Sequence, residues 1–381
     1  MSKQNKTVLF LFINGPHHVY HLILPALRFS ALKNEIETIF ISGNPLNTKI
    51  INDTKKITGL NNFTLIDIPL PLRYRIKNYK NRLYPPVYTR IKKVIKYLRN
   101  ANAIISTSHN FPEYLSKYQI KKPTLIYLYH GTGTRAYGFE SSLKEFDHIL
   151  IPGQYHKDRL IKSFPVKDGQ LEMVGVPKLD WMKIKKSKSQ RLFNNDNPIF
   201  YYNPHWKIEF SSYLKWKDVI LEFFKQKKFY NLIFSPHPLI QHLSKKTGYE
   251  LNEKNIVEDN ILVDLESNQC LDGTYTSMAD VYIGDISSMV TEWVMQKPRP
   301  CIFINAHNVN WKGNDDYYMW RFGKVVNELK EFEDAVKKST HHNDFEKIQK
   351  KLKNEFIYSS DKSSSDLCAR FIETKLSIPS K

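Results

Sequence analysis

Short, unbroken apolar runs along this chain alternate with longer stretches whose apolar residues recur at helical spacing. Val8 to Ile13 is the first run, and His17 to Lys33 follows with Val19, Leu22, Ile23, Leu27 and Leu32 on one face. Runs that are apolar throughout suit strands covered on both sides, and the 3.6-residue period suits a helix. A strand, an Asn14-Gly15-Pro16 turn and a helix are therefore expected. Further strands are expected at Glu37–Ser42, Phe63–Ile68, Ala103–Thr107, Thr124–Tyr129, Asp147–Pro152 and Leu171–Gly175, with a basic amphipathic helix over Tyr88–Leu98. The polar, lysine-rich segment Lys183–Gln190 marks an interdomain boundary. The pattern then restarts: strands at Pro198–Tyr202, Asn231–Phe234, Asn260–Val263, Met278–Ile283 and Pro300–Asn305, and a helix over Tyr213–Lys227. From about Glu331 the chain reads as helical and charged. The expected fold is α/β, with two Rossmann-like doubly wound domains facing a cleft. Residues 1–185 form the first domain and 190–355 the second; 356–381 is a helical tail packing back on the N-terminal domain.

Composition narrows this picture. Hydrophobic residues at 41% and charged residues at 25% of 381 positions fit a soluble globular protein. No apolar run approaches the ~20 residues a spanning helix needs. The apolar start ends at Asn14-Gly15-Pro16 without a small-residue cleavage site, so it reads as a strand and not as a signal peptide. Cys270, Cys301 and Cys368 are too few and too far apart for a disulfide framework or a structural zinc site. Fifty-seven basic against 38 acidic residues give a net charge of +19, which attracts anionic partners. No nucleic-acid motif accompanies the charge. Its densest stretch, Leu72 to Arg99, interleaves Arg90, Lys92, Lys93 and Lys96 with tyrosines and apolar residues, as an anionic membrane surface requires; a solvated helix face is the plainer reading.

Candidate chemistry collects where strands end. Gly284-Asp285-Ile286-Ser287-Ser288 joins a strand to a helix that carries Glu292 and stops at Pro298. Hydroxyls beside unpaired backbone N–H groups at a helix start suit a phosphate, and an ordinary serine N-cap is the alternative. His130 follows a strand and precedes Gly131-Thr132-Gly133. A neutral imidazole there can take a proton from a hydroxyl, and the glycines let backbone N–H groups approach an anion; a histidine capping the strand end, its ring bonded to a carbonyl, is the plainer reading of this residue alone. His237, between Pro236 and Pro238, is held in a stiff turn after another strand. Gly15 and His17 lie in the turn after the first strand; the His17-His18 pair lacks metal-ligand spacing. Dinucleotide, Walker A and Gly-x-Ser-x-Gly fingerprints are missing, which disfavours nicotinamide enzymes, P-loop proteins and α/β-hydrolases.

In order, Tyr129-His130-Gly131-Thr132, Val174-Gly175-Val176-Pro177-Lys178-Leu179-Asp180, Tyr202-Asn203-Pro204-His205-Trp206-Lys207, Ser235-Pro236-His237-Pro238 and Asp285-Ile286-Ser287-Ser288 resemble the CDP-glycerol glycerophosphotransferase family of teichoic-acid and capsule synthesis. The resemblance spans roughly residues 125 to 305. It implies a GT-B fold with an acceptor-side N-terminal and a CDP-donor-binding C-terminal domain. It also implies transfer of glycerol phosphate, or a related polyol phosphate, from a CDP-linked donor to a hydroxyl of a lipid-linked saccharide or growing polymer, with release of CMP. His130 is then the base on that hydroxyl. His237, Ser287 and Ser288 then contact the donor pyrophosphate. From the residues themselves, Arg135 is a further cation for the donor if it faces the cleft, and Glu292, about one turn into its helix, can accept from the ribose hydroxyls. No metal or cofactor is expected. Gly133-Thr134-Arg135, Pro204-His205-Trp206-Lys207 and Glu292 depart from the family's usual residues, and these departures bear on the polyol. Two alternatives remain: a GT-B glycosyltransferase or epimerase using a nucleotide sugar, and a non-enzymatic polyanion-binding protein. The expected location is cytoplasmic, peripherally attached to the inner face of the cell membrane.

Overall fold

The computed structural model describes residues 6–32, 35–72, 90–121, 123–133, 139–186, 191–237, 240, 258–265, 267–287 and 289–377. Two compact units divide them. The first takes in the described residues of Met1–Thr132, Ala136–Trp181 and Asn354–Lys381, and the second is Met182–Lys353 with Gly133.

Seven parallel strands form the sheet of the first unit: β1 (Thr7–Phe12), β2 (Glu37–Ser42), β3 (Thr64–Asp67), β4 (Ala103–Ser106), β5 (Thr124–Leu128), β6 (His148–Ile151) and β7 (Leu171–Met173). Their order is β3-β2-β1-β4-β5-β6-β7. Phe10 of β1 registers with Phe40 on one side and Ile105 on the other. The unbroken apolar run from Val8 to Phe12 is buried throughout, because helices cover both faces. Chain direction along the sheet reverses between β1 and β4, which makes that pair the switch point where such sheets bind ligands.

The helix Pro16–Ser30 starts on a proline, whose fixed φ suits a first helical turn. It is buried almost all round, and the C-terminal helix Ser364–Ser377 packs along it. Polar contacts fix that last helix: Asp180 Oδ2 accepts from both the backbone N–H and the hydroxyl of Ser365, each at 2.8 Å, and Arg28 pairs with Asp366 at 3.7 Å. A carboxylate on the first turn also complements the helix dipole. Gly175 has φ +80, and a Cβ there would lie 2.8 Å from the carbonyl oxygen of Tyr358. Gly175 and Asp180 of the shared Gly-Val-Pro-Lys-Leu-Asp segment thus hold the chain's end in place.

A separate six-stranded parallel sheet forms the second unit: β8 (Ile199–Asn203), β9 (Asn231–Phe234), β10 (Ile261–Val263), β11 (Val281–Gly284), β12 (Cys301–Ile304) and β13 (Lys324–Val326), ordered β10-β9-β8-β11-β12-β13. Its switch point lies between β8 and β11. Tyr202, Phe224, Leu232, Ile283 and Val336 sit in its core at 0% exposure. Arg299 is buried with them, its guanidinium 3.5 Å from the centre of the Trp293 ring and donating to the Ala279 carbonyl at 2.7 Å.

Three sequence expectations need correction. The strand placed at Met278–Ile283 begins only at Val281, because Thr274–Met278 is a short helix. β13 was not expected; it is three residues long, with its first residue exposed. The described part of the basic helix runs as a 3₁₀ turn, Ile91–Val94, and then Ile95–Asn100. Residues 73–89 of the basic stretch lie outside the described residues. Among the described residues no helix is long and apolar enough to cross a membrane.

Candidate active site

At the switch point of the first unit, the turn after β1 feeds the helix Pro16–Ser30 and the residue after β4 is Thr107. His18 bridges the two: its Nδ1 lies 3.1 Å from Thr107 Oγ1 and 3.3 Å from Asn14 Nδ2. Against its ring stands His130, just beyond β5, with centroids 3.9 Å apart and planes tilted by 31°. Tyr127, buried on β5, fixes His130 through a 3.2 Å contact between its hydroxyl and Nδ1. Burial, and then the nearby His109, lowers the His130 pKa from 6.5 to about 4. The ring is therefore neutral at physiological pH and able to accept a proton. His18 is held well below the usual histidine range by burial first, then by His130, His17, His21 and His109.

The depressed pKa of His130 predicts the acid limb of the pH–rate profile. A base works only when neutral, so kcat/KM should hold steady below pH 6.5 and fall as pH drops through about 4. A profile whose acid limb centres on the ordinary histidine value would contradict that environment.

Gly131 has φ +148, a conformation that disfavours side chains, and its missing Cβ would point into space with nothing within 4 Å. Thr132 is buried. Gly15 precedes the helix start with extended backbone, and His17 is exposed. Consecutive helical residues point about 100° apart, so His18 meets His130 while His17 is turned away from it to an exposed position. His21, one turn further on, is buried, and its Nδ1 has no hydrogen-bond partner among the described residues; burial first, and then the nearby Lys178, holds its pKa well below the usual histidine range.

In the second unit, Asp285 follows β11 and crosses the switch point. Its Oδ2 accepts from the backbone N–H of His205 at 2.8 Å and of Ser212 at 3.0 Å. Fully buried, Asp285 has its pKa raised from 3.8 to about 7, against the lowering effect of those donors. The structure thus places this expected ligand-binding residue beneath the surface, as a tie between loops. Asn203 adds a second tie, donating from Nδ2 to the Ser235 carbonyl at 2.6 Å. His237 follows β9 and Pro236, and its N–H donates to the Pro204 carbonyl at 3.1 Å. Burial lowers its pKa to about 4. His205 lies beside it, with ring centroids 6.2 Å apart, and Trp206 lies 6.4 Å from the same ring. The Lys207 N–H donates to His205 Nδ1 at 3.1 Å, which leaves the proton of a neutral ring on Nε2.

Ser287 accepts from the Met289 N–H at 3.1 Å through its hydroxyl, a local turn just before the helix Met289–Gln296. Glu292 is partly buried on that helix. Arg135 and Ser288 lie outside the described residues. Sequence reasoning missed His18 and His205; the histidine doublet and the Pro-His-Trp segment were the available signals. Among the described residues no group of His, Cys, Asp and Glu has metal-binding geometry.

Two Rossmann-type parallel sheets in one chain are the GT-B fold. The chain belongs to the CDP-glycerol:poly(glycerophosphate) glycerophosphotransferase family, whose sequence model matches residues 74–374, and its class is that of a CDP-glycerol glycerophosphotransferase. The fold is similar to that of the wall teichoic acid polymerase TagF, with 15% identity over 97% of this chain and 90% of that one and a TM-score of 0.62. A TagF variant soaked with CDPG matches with a TM-score of 0.61 at 15% identity, over 99% of this chain and 92% of that one. The UDP-GlcNAc 2-epimerase of Neisseria meningitidis, bound to UDP-GlcNAc, matches at 11% identity over 97% and 99% of the two chains, with a TM-score of 0.57. No curated protein sequence matches the chain.

Proposed function

We propose that this enzyme transfers glycerol phosphate, or a related polyol phosphate, from a CDP-linked donor to a hydroxyl of a lipid-linked saccharide or growing cell-surface polymer of the teichoic-acid or capsule type. The observation that carries the reading is His130: a neutral imidazole beyond β5, against the switch-point His18 and anchored through Nδ1, in a chain of this family. His130 takes the acceptor's proton as the hydroxyl oxygen bonds to the donor's β-phosphorus. The bond from that phosphorus to the bridging oxygen breaks, and CMP leaves with the oxygen and the electron pair. Positioning and charge stabilisation dominate such transfers. His237 and the helix start at Ser287 and Ser288 neutralise the pyrophosphate, with Arg135 as a further cation. Pro236 stiffens the turn that carries His237, Gly131 and Thr132 shape the loop beyond the base, and Asp285 holds the donor-side loops together. Gly15 and His17 belong to the acceptor side, and Glu292 receives the ribose hydroxyls. No metal or cofactor takes part, so EDTA should leave the rate unchanged.

The family favours this reading over a nucleotide-sugar glycosyltransferase, an epimerase or a polyanion-binding protein. A donor panel tests it. CDP-glycerol, CDP-ribitol and UDP-GlcNAc are each incubated with a lipid-linked saccharide, and nucleotide release is measured. CMP release from a CDP-linked polyol is expected. Release from UDP-GlcNAc alone, or from no donor, would refute the proposal.

The acceptor places the work at the inner face of the cell membrane. The basic stretch Leu72–Arg99 would hold the enzyme there at ~1 kcal/mol per cation near an anionic surface, screened beyond ~10 Å at ~0.1 M salt. Sedimentation with anionic liposomes should show binding at low salt and release at high salt. Replacing Arg90 is unsuitable as a probe: it is buried and donates to the carbonyls of Ile68 at 2.8 Å and Gly43 at 2.7 Å. Lys92 and Lys93 are exposed, so the triple change Lys92→Gln, Lys93→Gln and Lys96→Gln is the appropriate variant. Intact binding by that variant would remove the membrane role of this segment.

A further inference from the structure

We propose that His18 is a second acceptor-contacting residue, donating from Nε2–H to the oxygen of the hydroxyl whose proton His130 removes. This rests on the transferase reading above. His18 was not among the expected site residues, and its place is set by geometry. The ring stands 3.9 Å from that of His130 at the β1–β4 switch point, where ligands of such sheets bind. Its Nδ1 faces the amide nitrogen of Asn14 at 3.3 Å and the hydroxyl of Thr107 at 3.1 Å. An amide nitrogen only donates, so Nδ1 is the lone-pair nitrogen and a neutral ring carries its proton on Nε2. That N–H has no hydrogen-bond partner among the described residues, in a residue that is 8% exposed.

The two imidazoles then have opposite tasks. As a base, His130 keeps its own proton on Nδ1 toward the Tyr127 hydroxyl and offers the Nε2 lone pair. The acceptor hydroxyl has one proton and two lone pairs. His130 takes the proton, His18 donates to one lone pair, and the other forms the bond to phosphorus. His18 transfers no proton; it fixes the rotation of the attacking oxygen, which is where orientation lowers a barrier.

The test separates a donated hydrogen bond from ring packing. His18→Phe keeps an aromatic ring against His130 and removes the N–H, whereas His18→Gln loses the ring and restores an amide donor near Nε2. Kinetics with CDP-glycerol and a short-chain lipid-linked saccharide should show His18→Phe losing at least about tenfold in kcat/KM for the acceptor, with the donor KM within about twofold, and His18→Gln recovering most of the loss. A Phe variant as active as the Gln variant, or an equal rise in donor KM, would overturn the proposal. Nitrogen-15 spectra of labelled histidine give a readout independent of turnover: His18 should be the Nε2–H tautomer, and an Nδ1–H tautomer would contradict it. Wild-type silence on every CDP-linked donor would instead overturn the transferase reading.

Discussion

His130→Ala is expected to lower turnover about a thousandfold, the usual contribution of a positioned general base. CDP binding should survive, because the groups assigned to the donor lie in the second unit. The change removes a ring that is neutral, fixed by Tyr127 and placed beyond β5 to take a proton. Unchanged turnover would remove the base assignment. Loss of CDP-induced thermal stabilisation in the same variant would show that His130 serves the donor instead.

Asp285→Ala should have the largest effect on stability. It strips the acceptor from two backbone N–H groups, those of His205 and Ser212, in a fully buried place. Each orphaned donor costs ~1–3 kcal/mol. With ~2–4 °C per kcal/mol for a unit of this size, the melting temperature should fall by roughly 10 °C. Asp285→Asn keeps a carbonyl oxygen for both donors and should retain most of the stability. Its signature is pH dependence. The folded-state pKa of Asp285 is raised from 3.8 to about 7, so between those values the folded protein holds a proton that the unfolded chain has lost. The stabilising contribution is full below pH 3.8 and is lost as pH rises through about 7. The Asn variant should lack that slope; a slope identical to wild type would assign it elsewhere.

The two parallel sheets were readable from the sequence because strands buried on both faces are apolar throughout, as in Val8–Phe12 and Val281–Ile283. β13 escaped because three residues with a lysine at one end carry no period. His130 and His237 were legible as polar residues directly after apolar strands. The choice between His17 and His18 was not, since it depends on which way the first helical turn faces. Asp285 misled for a related reason. A carboxylate after a strand looks like a ligand-binding group, and only the fold shows its Oδ2 tied to loops distant in sequence. Arg90 misled in the same manner, because a cation within a basic stretch is in fact buried against the carbonyls of Ile68 and Gly43.

Phosphorus-31 NMR of a single reaction mixture tests the central claim most directly. CDP-glycerol, the acceptor and the enzyme are followed as the donor's pyrophosphate signals decay. Growth of the CMP monoester and a new phosphodiester in equal amounts is the predicted result. CMP accompanied only by free glycerol phosphate would mean hydrolysis, and an undiminished pyrophosphate signal would mean no reaction at phosphorus. Either would contradict a polyol-phosphate transferase.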